Sequence, residues 1–182
     1  MSDTKYKICA YLWKRNGRDT AAAMVNHAIL VLTFIVAIDC GLVGGIFFAF
    51  SSFVMAALGR LPPHDGIAAM NSINVTVINP MFFLAFFGTG LLCLLLVAGS
   101  YAWWDQTSGK LILAAAVIYL AGCIGVTMAF NVPLNNALAA VPPGTPEATA
   151  LWSLYLDRWT AWNTVRTVAP LVSAALFMAA LI

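Results

Sequence analysis

The chain has 182 residues, 62% of them hydrophobic and only 9% charged, with a mean hydropathy of +0.90, where an ordinary soluble domain is about 25% charged. So few charges cannot cover a water-soluble globule, which excludes a soluble enzyme, a disordered chain and a nucleic-acid binder. The net charge of +2 hides an asymmetry: Lys5, Lys7, Lys14, Arg15 and Arg18 crowd the N-terminus, and only Arg60, Lys110, Arg158 and Arg166 follow.

Residues 1–25 read as a basic cytoplasmic tail and residues 26–182 as a single transmembrane domain. The first apolar run, 28–58, is interrupted by Asp39. It is far longer than the 7–15 residues of a signal-peptide core, so it reads as a retained anchor. Runs at 75–98 and 111–130 follow, each long enough to cross the hydrocarbon layer as a helix. The last run, 165–182, is short by itself. Trp152, Tyr155, Trp159, Trp162 and Arg166 recur at helical spacing, which extends it back to near Glu147. Pro142, Pro143, Gly144 and Pro146 form the connector before it.

No run alternates with period two, so a barrel is excluded. The expectation is an all-α, up-down four-helix bundle, integral to the plasma (inner) membrane, with its fourth helix extended on the outer side. Placing both termini inside puts the basic tail and Lys110 in the cytoplasm, as the positive-inside rule prefers. Two rows of small residues, Gly41/Gly45/Ala49 and Ala121/Gly125/Ala129, suit close helix packing within the bundle. A homo-oligomer seam through Gly41 and Gly45 is the alternative.

This topology gathers most of the unusual polar residues at the outer end. His64, Asp65, Asn71, Asn74, Thr76 and Asn79 lie around the start of the second span, Asn131, Asn135 and Asn136 after the third, and Asp157, Arg158, Trp159, Trp162, Asn163 and Arg166 at the opening of the fourth. Trp159, Trp162, Asn163 and Arg166 fall at i, i+3, i+4 and i+7, one stripe of a helix. Pro80 and Pro170 free the carbonyls of Thr76 and Arg166. Pro133 is expected to end the third helix, leaving 131–135 as a turn over the cavity mouth. Arg166, a turn below the interface, requires a partner, a wet cavity or a bound anion. Asp39 within the first span reads either as structural glue, bonded to Thr33 or Ser100, or as a proton-handling group.

The cysteines, Cys9, Cys40, Cys93 and Cys123, show no metal-binding spacing, and no metal site is expected. His27 and His64 fall at opposite ends of the first span, so they do not clamp one haem; one-sided haem ligation by His27 is the only cofactor alternative. Phosphate-loop, dinucleotide and di-iron motifs are missing from the sequence. The partners expected are the lipid bilayer and a small hydrophobic ligand.

The stretches Gly44 to Ser51, Ala69 to Pro80, Phe87-Gly88-Thr89, Asn131-Val132-Pro133-Leu134-Asn135 and Trp159 to Thr167 resemble the anthrone oxygenase-like family of small membrane proteins, much of it grouped as a domain of unknown function. The family pattern has His where this chain has Thr164, and often Pro where it has Ala56. The resemblance implies oxidation of an anthrone to an anthraquinone by O2, without a metal or flavin. A base would remove the ring CH2 proton, with His64 or Asp157 in that role. Arg166 and the amides of Asn163, Asn74 or Asn131 would hold the enolate. Trp159 and Trp162 would stack on the planar ring system, and Asn79 and Asn135 would complete the binding site. A non-enzymatic quinone- or lipid-binding protein, or an accessory subunit of a larger membrane complex, is the alternative.

Overall fold

The computed structural model describes the backbone of residues 3–182 and the side chains of residues 19–182 except 102. The five basic residues of the tail and Cys9 lie outside the described side chains. Among the described residues the protein is all helical. Helix α1 (Asp3–Ala49) passes through a π-helical turn, Phe50–Val54, into Met55–Leu58. Helix α2 is Pro63–Thr76. Helix α3 starts as Pro80–Phe83 and runs through the π-helical turn Leu84–Gly88 into Thr89–Ser100. Helix α4 comprises Thr107–Tyr119, π-helical turns Leu120–Gly125 and Thr127–Asn131, and Val132–Ala140. Helix α5 is unbroken from Pro146 to Ala179, with Pro170 inside it.

Three of these helices, Asp19–Leu58, Pro80–Ser100 and Thr107–Ala140, are long and apolar enough to cross a membrane. Helix α5, which carries Glu147, Asp157, Arg158 and Arg166, is not one of them. It nevertheless packs along α1 and α4 as the central element of the fold.

The breaks between helices follow from local chemistry. Pro80 cannot donate back to Thr76, so α2 stops there and the chain restarts at an extended Asn79. The Asn79 side chain caps both ends of the break: Oδ1 accepts from Phe82 N at 3.0 Å, and Nδ2 donates to the freed Thr76 carbonyl at 3.0 Å. Thr145 caps α5 by accepting from Ala148 N at 3.1 Å. Just before it, Gly144 takes φ 89°, a left-handed conformation that favours glycine.

Three expectations are corrected. Pro133 does not end a helix. The π-helical turn before it shifts the register, so Pro133 occupies a first-turn position of Val132–Ala140, where its missing N–H is not needed. Nor do the two small-residue rows pack within the bundle. A Cβ at Gly41 or Gly45 would meet nothing within 4 Å, and Ala121 and Ala129 are exposed. The close approaches lie at neighbouring glycines: Gly44 against Leu171, Gly122 against Ala169 and Gly90 against Ile124. Finally, Thr33 and Ser100 donate to Ile29 and Val97 carbonyls of their own helices rather than to Asp39.

Gly109, at the start of α4, has the backbone carbonyl of Trp103 where a Cβ would stand. Because backbone rather than a flexible side chain must give way, Gly109→Ala is expected to lose about 1–3 kcal/mol. Thermal unfolding in detergent checks this, with Gly41→Ala, which meets open space, as the neutral control.

Two apolar cores are present. One, around Cys40, Val43, Phe47, Phe86, Cys93, Tyr119 and Phe177, joins α1, α3 and α4 to the last turns of α5. The other, around Ile67, Met70, Leu138, Trp152, Tyr155 and Trp159, joins α2, the end of α4 and the first half of α5. Phe47 and Phe86 of the first and Met70 and Trp159 of the second line a shared cavity.

Candidate functional site

The cavity has a volume of about 620 Å³, within the range of pockets that hold small organic ligands. Its walls come from all five helices. Phe47 and Phe50 stand on α1, Asn71 and Asn74 on α2, Phe82 and Phe86 on α3, Thr127 and Asn135 on α4, and Trp159 and Arg166 on α5. Phe82 and Phe86 are stacked at 5.4 Å and Phe47 meets each edge-on, giving a continuous aromatic wall. The π-helical turns at Phe50, Phe86 and Thr127 all contribute lining residues, in keeping with the frequent placement of such turns at functional sites.

Arg166 is the charged residue of this wall and is only 5% exposed. Its Nε donates to Asn163 Oδ1 at 3.1 Å and its Nη1 to Thr127 Oγ1 at 3.4 Å. The guanidinium lies 4.4 Å from the Phe47 ring centre and 4.6 Å from that of Trp159. Among the described residues no carboxylate pairs with it. Two aromatic faces offset part of the desolvation of such a cation, each contributing on the order of 1–2 kcal/mol when water is excluded. A buried cation without a counter-ion has charge to offer an anionic group that enters the cavity.

Asn163 positions that cation. Its Nδ2 donates at 2.7 Å both to the Phe47 carbonyl and to Ser51 Oγ, and its Oδ1 receives Arg166. Both N–H groups are committed to α1, so Asn163 holds the guanidinium in place and has no donor left for a ligand. Thr164, where the resemblance to the family leads one to expect His, is exposed and shares a 3.1 Å hydrogen bond with Ser51. Position 164 therefore touches the support of the site and does not line the cavity.

Asn135 is oriented in a similar way. Tyr155 Oη and Trp159 Nε1 both donate to its Oδ1, each at 2.8 Å, so Nδ2 is the group it still has to offer. Asn131 is fully buried and donates to the Trp159 carbonyl at 3.1 Å. Among the described residues three buried side-chain polar atoms have no partner within 3.5 Å: Asn71 Oδ1, Asn131 Oδ1 and Asn74 Nδ2, the last facing Tyr155. Each such atom costs about 1–3 kcal/mol when left unmade. Two of the three belong to residues that line the cavity.

Of the residues singled out from sequence, the structure brings Asn74, Asn135, Trp159 and Arg166 onto one cavity, with Asn131 and Asn163 buried behind it. It does not bring in the other three. His64 is 60% exposed and pairs with Asp65 at 3.0 Å, Asn79 is occupied in capping, and Trp162 stacks on Phe130 at 3.7 Å. Asp157 and His27 are exposed and also lie outside the lining. Asn71 and Thr127 also line the cavity, and Tyr155 and Ser51 hydrogen-bond to residues of its wall or its support; none of the four is in the site expected from sequence, although Asn71 is among the polar residues noted there. The first shares a helix face with Asn74 and Tyr155 precedes Trp159 by one turn, so helical spacing contains a signal for both. Ser51 and Thr127 are reached only through tertiary contacts.

Cys40, Cys93 and Cys123 are free and buried in the first core. Among the described residues no group of three or more His, Cys, Asp or Glu side chains is arranged to hold a metal ion.

A family model described as anthrone oxygenase matches residues 82–176, just over half of the chain. The matched segment includes Thr127, Asn131, Asn135, Trp159, Asn163 and Arg166, and ends short of Asn71 and Asn74 on its N-terminal side. No curated protein and no solved structure matches the chain.

Proposed function

Because this chain belongs to the anthrone oxygenase family, we propose that it is a membrane-embedded oxygenase that oxidises a planar, hydrophobic, anthrone-like substrate with O2. The observation that carries the reading is the buried guanidinium of Arg166, free of any carboxylate, on the wall of a largely aromatic cavity of about 620 Å³. An anthrone that loses a proton from its ring CH2 becomes an aromatic enolate. Arg166 pairs with the enolate oxygen, and Asn135 Nδ2 supplies a further donor. Phe47, Phe82 and Phe86 cover the ring faces.

The electron balance requires no reductant. The ring carbon gives up two hydrogens and gains one oxygen atom of O2 as its new carbonyl, and the other oxygen leaves as water. The substrate's own electrons do the work, so neither metal nor flavin is part of this proposal. His64 and Asp157 stand outside the lining, so the ring proton passes to water, its loss made easier by the adjacent cation.

In this reading the protein crosses the plasma (inner) membrane four times, α5 being the fourth span, with both termini in the cytoplasm. The crowded basic tail supports that orientation.

The test is oxygen uptake by the purified protein in lipid nanodiscs on addition of anthrone, with anthraquinone followed by absorbance. Uptake no faster than in empty nanodiscs overturns the reading. His64→Ala is expected to leave the rate within twofold of the parent protein; a large loss would restore His64 as the base.

One observation favours a second reading, a binding protein for a quinone or similar flat ligand. Among the described residues no side chain lining the cavity is a carboxylate or an imidazole. Stoichiometric retention of anthraquinone without oxygen uptake would select it.

A further inference from the structure

Helices α3 and α4, both long and apolar enough to cross a membrane, diverge toward the cavity. Thr89–Ser100 of α3 packs along Thr107–Tyr119 of α4, and Ile124 stands where a Cβ at Gly90 would be. Beyond that point the π-helical turn of α3 leans on α1, while the turn Thr127–Asn131 and the last segment of α4 lean on α5. The cavity fills the wedge between them.

The edges of this wedge are unusual for cavity walls. Phe83 and Phe87 on α3 and Met128 on α4 line the cavity, yet Phe87 is 45% and Met128 55% exposed. Because they stand on membrane-crossing helices, the medium that meets them is hydrocarbon. Among the described lining residues that are exposed, Asn136 is the polar one and the rest are apolar. Along the bundle the cavity is stopped in both directions. Cys40, Cys93 and Tyr119 are buried in the first core on one side of it, and Leu138, Trp152 and Tyr155 in the second core on the other. Side chains packed in this way leave no path for a rigid ring system.

We propose that the cleft between α3 and α4 is a side passage through which a hydrophobic ligand moves between the acyl-chain region of the bilayer and the cavity, with Phe87 and Met128 at its edges. The inference rests on the reading of the cavity as a site for a flat hydrophobic ligand and deepens it by naming where that ligand comes from. A side chain standing in a passage is met on the way in and on the way out. Trimming it changes association and dissociation rates by the same factor and leaves their ratio, the Kd, alone. Trimming a side chain that only holds the ligand changes the Kd.

The experiment is stopped-flow quenching of tryptophan fluorescence by anthraquinone, with the full-length protein in nanodiscs and dissociation followed by a chase into empty nanodiscs. Phe87→Ala is expected to raise both rates by about fivefold to tenfold, the effect of widening a gate, with the Kd within about twofold of the parent. Leu94→Ala, two turns further along the same exposed face of α3 and outside the lining, changes neither rate. A sulfonated anthraquinone keeps the rings but carries a charge that hydrocarbon excludes, and is expected to associate with the parent about 100-fold more slowly. Unchanged rates in Phe87→Ala overturn the proposal, as does a change confined to the Kd. A sulfonate that associates as fast as anthraquinone puts the entrance on the water side and overturns it too. Failure of anthraquinone to bind the parent instead removes the reading of the cavity, and the proposal falls with it. Phe87 is exposed, so Phe87→Ala is expected to fold; should it not, Met128→Ala is read in the same way.

Discussion

Arg166→Met is expected to lower turnover of an anthrone by about 100- to 1,000-fold, the effect of removing a preorganised donor aimed at a developing oxyanion. The unusual part of the expectation is that stability should hardly change. Replacing whole buried ion pairs by apolar side chains is often neutral or stabilising by about 1–4 kcal/mol, because no charge then has to be desolvated, and the same relief applies to a lone buried guanidinium. Against that stand the loss of the hydrogen bond to Asn163 Oδ1, about 1–3 kcal/mol for an acceptor left unmet, and of the contacts with the Phe47 and Trp159 rings, which the methionine side chain replaces in part by sulfur–aromatic packing. The gain and the losses are of similar size. Oxygen uptake and thermal unfolding measured on the same preparation check both halves. Unchanged turnover would remove Arg166 from the chemistry, whereas a large drop in unfolding temperature would make the guanidinium a structural element of the α1–α5 contact.

Asn163→Leu should behave in the opposite way. The substitution removes the partner of the Phe47 carbonyl and of Arg166 Nε in a buried setting, and leaves the half-buried Ser51 hydroxyl to Thr164 alone. Breaking a buried network that holds a charge costs about 3–5 kcal/mol, or roughly 6–20 °C in a protein of this size at 2–4 °C per kcal/mol. Turnover falls too, because the cation is no longer held against the Phe47 and Trp159 rings. The double variant Arg166→Met/Asn163→Leu separates the roles. If Asn163 acts chiefly by seating Arg166, the combined destabilisation is smaller than the sum of the single effects by about 1–2 kcal/mol. Strict additivity would mean that Asn163 serves only the α1–α5 junction.

The stripe on α5 shows where legibility from residues ends. At about 100° per residue, Trp159, Asn163 and Arg166 fall within about 60° of one another, and Trp162 lies at the edge of that sector, about 100° from Asn163. Spacing alone puts all four on one face. The structure turns the first three inward and lets Trp162 stack on Phe130, because the position of α4 beside α5 decides where that face ends. Asn79 makes the same point at a chain break. Its polarity beside Pro80 suggests a ligand contact, but the two backbone groups released by the proline take both ends of its amide. Local demand is met before a distant site can compete. The small-residue rows fail for a similar reason. The spacing of Gly41 and Gly45 is sound, yet the face that meets α5 is the one carrying Gly44, and a shift of one residue turns a helix by more than a quarter of a revolution.

Composition and hydropathy by themselves determined that this is a helical membrane-type chain with its polar chemistry concentrated toward one end, since those properties are sums over residues and need no partner. The helical period in addition determined that Trp159, Asn163 and Arg166 travel together. Only the tertiary structure decided which polar atoms remain unmet. Asn163 is exhausted by α1, Asn135 keeps one end of its amide, and Asn71 Oδ1 stays buried without a partner. Whether a donor is free depends on what faces it across the bundle, and that is a property of helices brought together rather than of any one of them.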